Sequence, residues 1–161
     1  MKSLHQLIHT LPQQGRVEWI GVRPAKRVAV ESRATVNADP DTGLVGDRYS
    51  GRSGDRHITL IQAEHLPVIA SCLGLPEVPP ELLRRNIVVS GFNLLALKDK
   101  HVQLGTAEIL VTGQCHPCSR MEEVLGPGGY NAVRGHGGIT ARVLVRGTIA
   151  VGDTVTTLHN K

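Results

Sequence analysis

Thr140-Ala-Arg-Val-Leu-Val-Arg-Gly-Thr-Ile-Ala-Val-Gly-Asp-Thr-Val155 contains two short runs rich in β-branched residues, Thr140 to Val145 and Ile149 to Val155, with turn glycines at Gly147 and Gly152. Such runs between turn residues read as strands. Upstream the pattern repeats. Val102 to Leu104 and Glu108 to Thr112 flank Gly105, Asn86 to Ser90 precedes a turn at Gly91, and His57 to Ile61 is an apolar strand. Val17 to Val22 partly alternates, Arg27 to Glu31 and its neighbours read as a second β segment, and Asp39-Pro-Asp-Thr-Gly43 is a turn. Helices are fewer. Gln62 to Leu73 gathers Leu66, Ile69, Ala70 and Leu73 on one face, with Gly74 able to end it. Residues 3–10 place Leu4, Leu7 and Ile8 at helical spacing, and Pro76, Pro79 and Pro80 mark a connection. The pattern predicts a mainly β (β-rich α+β) fold: a closed or nearly closed β-barrel with a few short helices. No repeat or linker divides the 161 residues, so residues 1–161 are expected to form one domain.

Composition narrows the function classes. Aromatic residues make up 2% of the chain, too few for the stacking platforms that bind single-stranded nucleic acid. The net charge of +4 is spread over scattered arginines with no run of five or six like charges, which disfavours a nucleic-acid tail or a polybasic membrane anchor. Arg48, Arg52, Arg56 and His57 crowd one segment, Arg84 and Arg85 another, and Arg134 and His136 a third. Brought together by folding, they would suit a compact anion such as a phosphate; apart, they are a solvated surface. Met1 to Gln14 lacks a signal-peptide core and no window approaches a membrane span, so a cytoplasmic location is expected. Three cysteines in such a chain point to metal or redox chemistry rather than a disulfide framework.

The sharpest local feature is Cys115-His-Pro-Cys118, followed by Ser119-Arg-Met-Glu122. CxxC spacing is expected to bring the two sulfurs close, and Ser119 with Glu122 matches a capping box that would set Cys118 just before a helix. The helix dipole and Arg120 would then favour a thiolate, which suits a soft metal or a persulfide. A zinc site, a thioredoxin-like dithiol and a pair of merely buried cysteines remain alternatives; the first lacks a second ligand pair and the second a βαβ setting. The glycine-rich stretch Gly126 to Gly138, carrying Arg134 and His136, reads as an anion-binding loop or as an irregular surface turn. In Gly43 to Arg48, Asp47 and Arg48 are expected to pair if the loop is only structural, and Arg84 and Arg85 would then be solvated strand-edge residues.

Gly43-Leu-Val-Gly-Asp-Arg48, Arg84-Arg-Asn-Ile-Val-Val-Ser-Gly91, His116-Pro-Cys118 and Gly147-Thr-Ile-Ala-Val-Gly-Asp153 together resemble, in order and spacing, the MOSC domain, named for the C-terminal part of molybdenum cofactor sulfurase. The match runs from about Val17 to Val155. The resemblance implies a barrel similar to the pyruvate kinase β-barrel domain. It implies that Cys118 ligates the molybdenum of molybdenum cofactor (Mo-molybdopterin) in the family's reductases, or carries sulfur in its sulfurases. Arg85 and Asn86 would hold the pterin phosphate, with Arg48, Arg134 and His136 as further contacts. The implied activity is reduction of N-hydroxylated compounds by oxygen-atom transfer; the alternatives are a sulfur carrier holding a persulfide on Cys118 without turnover, and an interaction module with an empty site. The larger reductases have an additional N-terminal barrel domain, and neither a ferredoxin-like cysteine set nor a pyridoxal-phosphate desulfurase domain is evident here. The expected partners are therefore a separate electron-donor or sulfur-donor protein and a small-molecule substrate, with no nucleic acid or membrane, and with a homodimer as one way to cover the open side of the barrel.

Overall fold

Strand pairing in the computed structural model, which describes residues 1–11, 14–49, 51 and 53–158, closes on itself. In chain order the strands are β1 (Gly15–Val22), β2 (Glu31–Arg33), β3 (Thr35–Asp39), β4 (Gly43–Leu44), β5 (Ile58–Gln62), β6 (Ile87–Ser90), β7 (His101–Leu104), β8 (Ala107–Gln114), β9 (Ile139–Val145), β10 (Gly147–Ala150) and β11 (Thr154–Thr157). The helices are α1 (Leu4–Ile8), α2 (His65–Leu73), α3 (Pro80–Leu83), α4 (Ser119–Leu125) and α5 (Gly129–Val133). Strands run β1-β11-β7-β8-β9-β5-β6 and return to β1, a seven-stranded barrel with β2 attached to β1. A small sheet, β10-β3-β4, lies beside it. The expected mainly β barrel is therefore closed, which removes the exposed edges that an open sheet of short strands would carry.

Alternation explains the interior. Along β8, Ala107, Ile109 and Val111 are buried while their neighbours are partly open, and β7 buries Val102 and Leu104 in the same register. These join Val17, Ile20, Ile58, Leu60, Ile87, Val89, Val143 and Val155 in one core. β5 behaves differently, burying all of Ile58, Thr59, Leu60 and Ile61. Ile58 and Leu60 face the barrel core, while Ile61 and Val88 belong to a second cluster with Ile69, Leu83, Met121, Ala132 and Val133 from the helices. A strand covered on both faces reads as an apolar run. β5 and β6 are also the one parallel pair among the described strands, and the crossover between them is α2 and α3.

Several local expectations shift. Arg27 has φ +62°, incompatible with a strand, so the β segment expected at Arg27 to Glu31 begins at Glu31 and a second strand follows at Thr35. Gln62 continues β5, so α2 starts at His65; it ends at Gly74 in the left-handed conformation, as expected. The proline-marked connection contains α3, with Pro80 in its first turn, where a missing N–H is harmless. The capping box forms on α1, between Ser3 and Gln6, and not at Ser119. Cys118 is the N-cap of α4, and the Glu122 carboxylate turns instead to accept N–H groups from Gly128 and Tyr130. The glycine-rich stretch thereby gains the short helix α5. Arg52 lies outside the described residues.

Close approach, more than turn formation, demands glycine where α5 returns to the barrel. A Cβ on Gly138 would strike the Leu60 carbonyl, and the residue has φ +90°. Gly126 has φ +86° but open space around it. Gly138→Ala should cost about 2 kcal/mol or more, and Gly126→Ala about 1 kcal/mol. Urea denaturation of both variants checks the ranking; equal losses would refute the packing argument.

Candidate functional site

One buried carboxylate organises the end of the barrel where the arginines meet. Asp47 Oδ1 accepts the Arg23 backbone N–H at 2.8 Å, Arg23 Nε at 3.1 Å and Asn86 Nδ2 at 3.1 Å. Its Oδ2 accepts Arg23 Nη2 at 2.9 Å and the Tyr49 N–H at 3.3 Å. The expected Asp47–Arg48 pair does not form; Arg48 contributes only its backbone N–H, to the Arg23 carbonyl at 2.7 Å. Burial pushes the Asp47 carboxyl up, but the Arg23 side chain and the backbone and Asn86 donors outweigh it, so the carboxyl sits below its ordinary value.

Asn86 stands directly beneath. It is fully buried, and its Oδ1 accepts the Thr59 N–H at 3.0 Å and the Thr59 hydroxyl at 3.1 Å. Its Nδ2 also donates to the Gly21 carbonyl at 3.1 Å. Asn86 thus ties β1 and β5 to the loop that carries Asp47. Arg84, left-handed at φ 55° where α3 ends, turns the chain so that the next two residues enter the barrel wall. Its Nη1 donates to the Val28 carbonyl at 2.7 Å, holding the loop after β1.

Arg85 is 6% exposed, so the reading of a solvated strand-edge arginine fails for it. Its Nε donates to the Gly137 carbonyl at 2.8 Å, Nη1 to Leu83 at 3.0 Å and Nη2 to Cys115 at 3.4 Å. A side chain at Gly137 would strike the Cys115 carbonyl, so this glycine lets the α5–β9 connection lie against the cysteine segment. Burial lowers the Arg85 guanidinium's pKa; Cys115 and Cys118 oppose it, which places both cysteines within its electrostatic reach.

The cysteines are not a matched pair. Cys115 is buried, His116 exposed, Pro117 buried and Cys118 exposed, the alternation of extended chain. Both thiols are free. The segment does run from a strand into a helix, but β9 returns antiparallel to β8, so a thioredoxin-like βαβ unit is absent. Among the described residues, no three His, Cys, Asp or Glu side chains converge to hold a metal ion by themselves.

Arg56 spans the distance from cysteine to loop. Its Nη2 lies 3.8 Å from Cys115 Sγ, and it lines a hollow of about 290 Å³ with Arg23, Arg48, Tyr49, Gly51 and Thr59. Burial, followed by the nearby Arg23, Arg48 and Arg120, lowers the Arg84 guanidinium's pKa, so these arginines form one basic field. Among the described residues the buried Arg120 Nε finds no hydrogen-bond partner, while its Nη1 donates to Glu123 at 2.9 Å. His136 instead stacks edge-on with His65 of α2, ring centroids 5.3 Å apart, and Arg134 is an exposed cap residue of α5. The structure thus gathers Arg48, Arg85, Asn86 and the cysteine segment, while His136 faces α2. Sequence reasoning missed Arg23, Tyr49 and Thr59. The available signal was Asp47 itself, a carboxylate whose burial demands a cation from elsewhere in the chain.

The MOSC domain family model matches residues 28–156. No curated protein matches the chain in sequence. Among solved structures, the YuaD protein from Bacillus subtilis is 21% identical with a TM-score of 0.77, covering 91% of this chain and 97% of that one. YiiM from Geobacillus stearothermophilus is 19% identical with a TM-score of 0.74, covering 90% and 75%. YiiM from Escherichia coli is 17% identical with a TM-score of 0.67, covering 91% and 71%. At such identities the likeness establishes the fold. No helix among the described residues is long and apolar enough to cross a membrane.

Replacing Asp47 by Asn should cost about 3 kcal/mol, because the largely buried Arg23 loses its counter-charge. Since the folded carboxyl titrates below its ordinary value, its contribution is present above the ordinary carboxylate range and is lost as pH falls through the folded value. Denaturation of wild type and Asp47→Asn across acid pH checks both statements; coincident stability curves would refute both, and parallel but offset curves would refute the pH dependence.

Proposed function

Because the chain belongs to the MOSC domain family, we propose that it binds molybdenum cofactor through Cys118 and reduces N-hydroxylated compounds by oxygen-atom transfer. The observation that carries this reading is an exposed thiol within electrostatic reach of Arg85, on the segment whose Cys115 meets Arg56, one of three arginines that line a hollow. The residues fit the group. A thiol is the soft donor that molybdenum takes, and the pterin dithiolene brings the sulfur ligands that the protein lacks. The arginine-lined hollow suits an anion that supplies acceptor oxygens.

When bound, the cofactor supplies two-electron removal of oxygen from an N–OH group. The chain's own residues do the rest. Cys118, standing at the N-cap of α4, presents its sulfur to solvent. Arg48 and Arg56 would present cations to the phosphate, while Arg23 shares its charge with Asp47. Arg85 and Asn86 support this arrangement from below, fixing the cysteine segment and the Asp47 loop against the barrel. Arg134 and His136 enter through the connection that Arg85 ties to Cys115. Electrons come from a separate donor protein.

Exposure of Cys118 also suits a second reading, a persulfide carrier without turnover. Incubation with a cysteine desulfurase followed by mass spectrometry separates the two: an added sulfur on Cys118 in protein that retains no molybdenum favours the carrier.

Expressed in a host that makes the cofactor, the protein should retain near one molybdenum per chain. Cys118→Ser should abolish that retention, while Cys115→Ser keeps most of it. Equal loss from both variants would sink the single-ligand reading.

A further inference from the structure

The loop that carries Arg48 and Tyr49 closes over His57, a titratable side chain only 4% exposed that the proposed chemistry does not use. The Val143 backbone N–H donates to His57 Nδ1 at 3.2 Å, so Nδ1 carries no proton and the neutral ring holds its hydrogen on Nε2. Tyr49, which lines the hollow, meets the His57 ring edge-on with centroids 5.2 Å apart. Gly43 and Gly54, both at positive φ, lie against the ring: a Cβ on Gly54 would stand 2.7 Å from His57 Cε1, and one on Gly43 3.2 Å from Cδ2. The imidazole is thus enclosed by both ends of the segment that walls the hollow.

We propose that His57 is a positioning residue that holds residues 43–49 and 53–57 closed around its ring only while the imidazole is neutral, making anion binding in the Arg23–Arg48–Arg56 hollow sensitive to proton concentration. The reading that the hollow takes the cofactor phosphate gives this its use, but the latch stands on its own contacts. A proton added at Nδ1 would point at the Val143 N–H. One hydrogen bond is lost and two donors face each other in a buried place. The charged and titratable groups around the ring are Arg142 of β9, Asp39 of β3, Asp55 just before the ring and Tyr49 above it. Arg142 opposes protonation and is itself paired with Asp55. Asp39 and Asp55 favour it, but burial is the leading influence and the net is a pKa below the ordinary histidine value. Loop closure is therefore complete above the ordinary histidine range and is lost as pH falls through the depressed folded value.

Backbone hydrogen exchange of residues 43–49 and 53–57, corrected for intrinsic rates, tests this in the chain as expressed, without cofactor. Between about pH 8 and about pH 5, protection of the loop should fall at least about tenfold while β7 and β8 hold theirs. His57→Gln keeps an acceptor for Val143 and cannot take the proton, so its loop protection should no longer follow pH. Sulfate, whose charge does not change over this range, serves as the anion probe by calorimetry. It should bind wild type more weakly in acid and His57→Gln equally throughout. A pH response shared by wild type and His57→Gln overturns the proposal. So does a wild-type loop indifferent to pH, or an NMR titration of His57 in the wild type that leaves the loop amides unshifted, which serves if the variant does not fold. Sulfate that fails to bind at any pH while the loop still opens in acid would count against the anion site and so overturn the stated coupling, leaving the latch contacts themselves confirmed by exchange.

Discussion

A carboxylate taken out of water must be compensated, and Asp47 is compensated five times over, by Arg23 through backbone and side chain, by Asn86 and by Tyr49. Nearly everything distinctive about this end of the barrel follows from satisfying that one group. Arg23 is drawn inward from the end of β1, the Gly43 to Tyr49 segment is folded down onto the barrel, and Asn86 is locked between β1 and β5. Arg48 and Arg56 then line the hollow with Arg23, and Arg23 and Arg48 act in turn on Arg84. A basic hollow arises from the way a single acid is buried.

The two faces of β5 and β6 connect this polar end to the rest of the fold. Their inner side chains fill the barrel, and their outer ones carry the helices that present Cys118 and the α5–β9 connection. Arg85 crosses from one layer to the other, with its hydrogen bonds ending on α3, on the cysteine segment and on Gly137. Its buried charge is tolerated because each guanidinium nitrogen finds a carbonyl and because two sulfurs lie within reach. The supporting role proposed for the Arg84-Arg-Asn86 motif is thus the ordinary consequence of two arginines and an amide placed at a junction of layers.

Much of the fold was legible because it is written in short-range signals. Period-two alternation in β7 and β8, the left-handed stop at Gly74 and the unbroken apolar run of β5 each depend on a few consecutive residues. Local patterns were reshaped where another segment offered a competing contact. Ser119 and Glu122 have capping-box spacing, yet the Glu122 carboxylate finds the N–H groups of Gly128 and Tyr130. Cys115 and Cys118 have dithiol spacing, yet continued extension beyond β8 buries one and exposes the other. Glycines 137 and 138 looked like an anion-binding pattern, and each proves necessary for close packing against another segment's backbone.

Taken alone, the sequence determined the barrel class, the main strands, the best helix and the set of residues worth watching, since propensity, alternation and motif order act within a few positions of each residue. Only the tertiary structure decided which of them meet. Arg23 and Asp47 are 24 residues apart and Arg56 and Cys115 are 59 apart. Contacts at that separation are fixed by how strands register around a closed barrel and by the requirement that buried charge be paired, and neither condition names the partner in the local sequence.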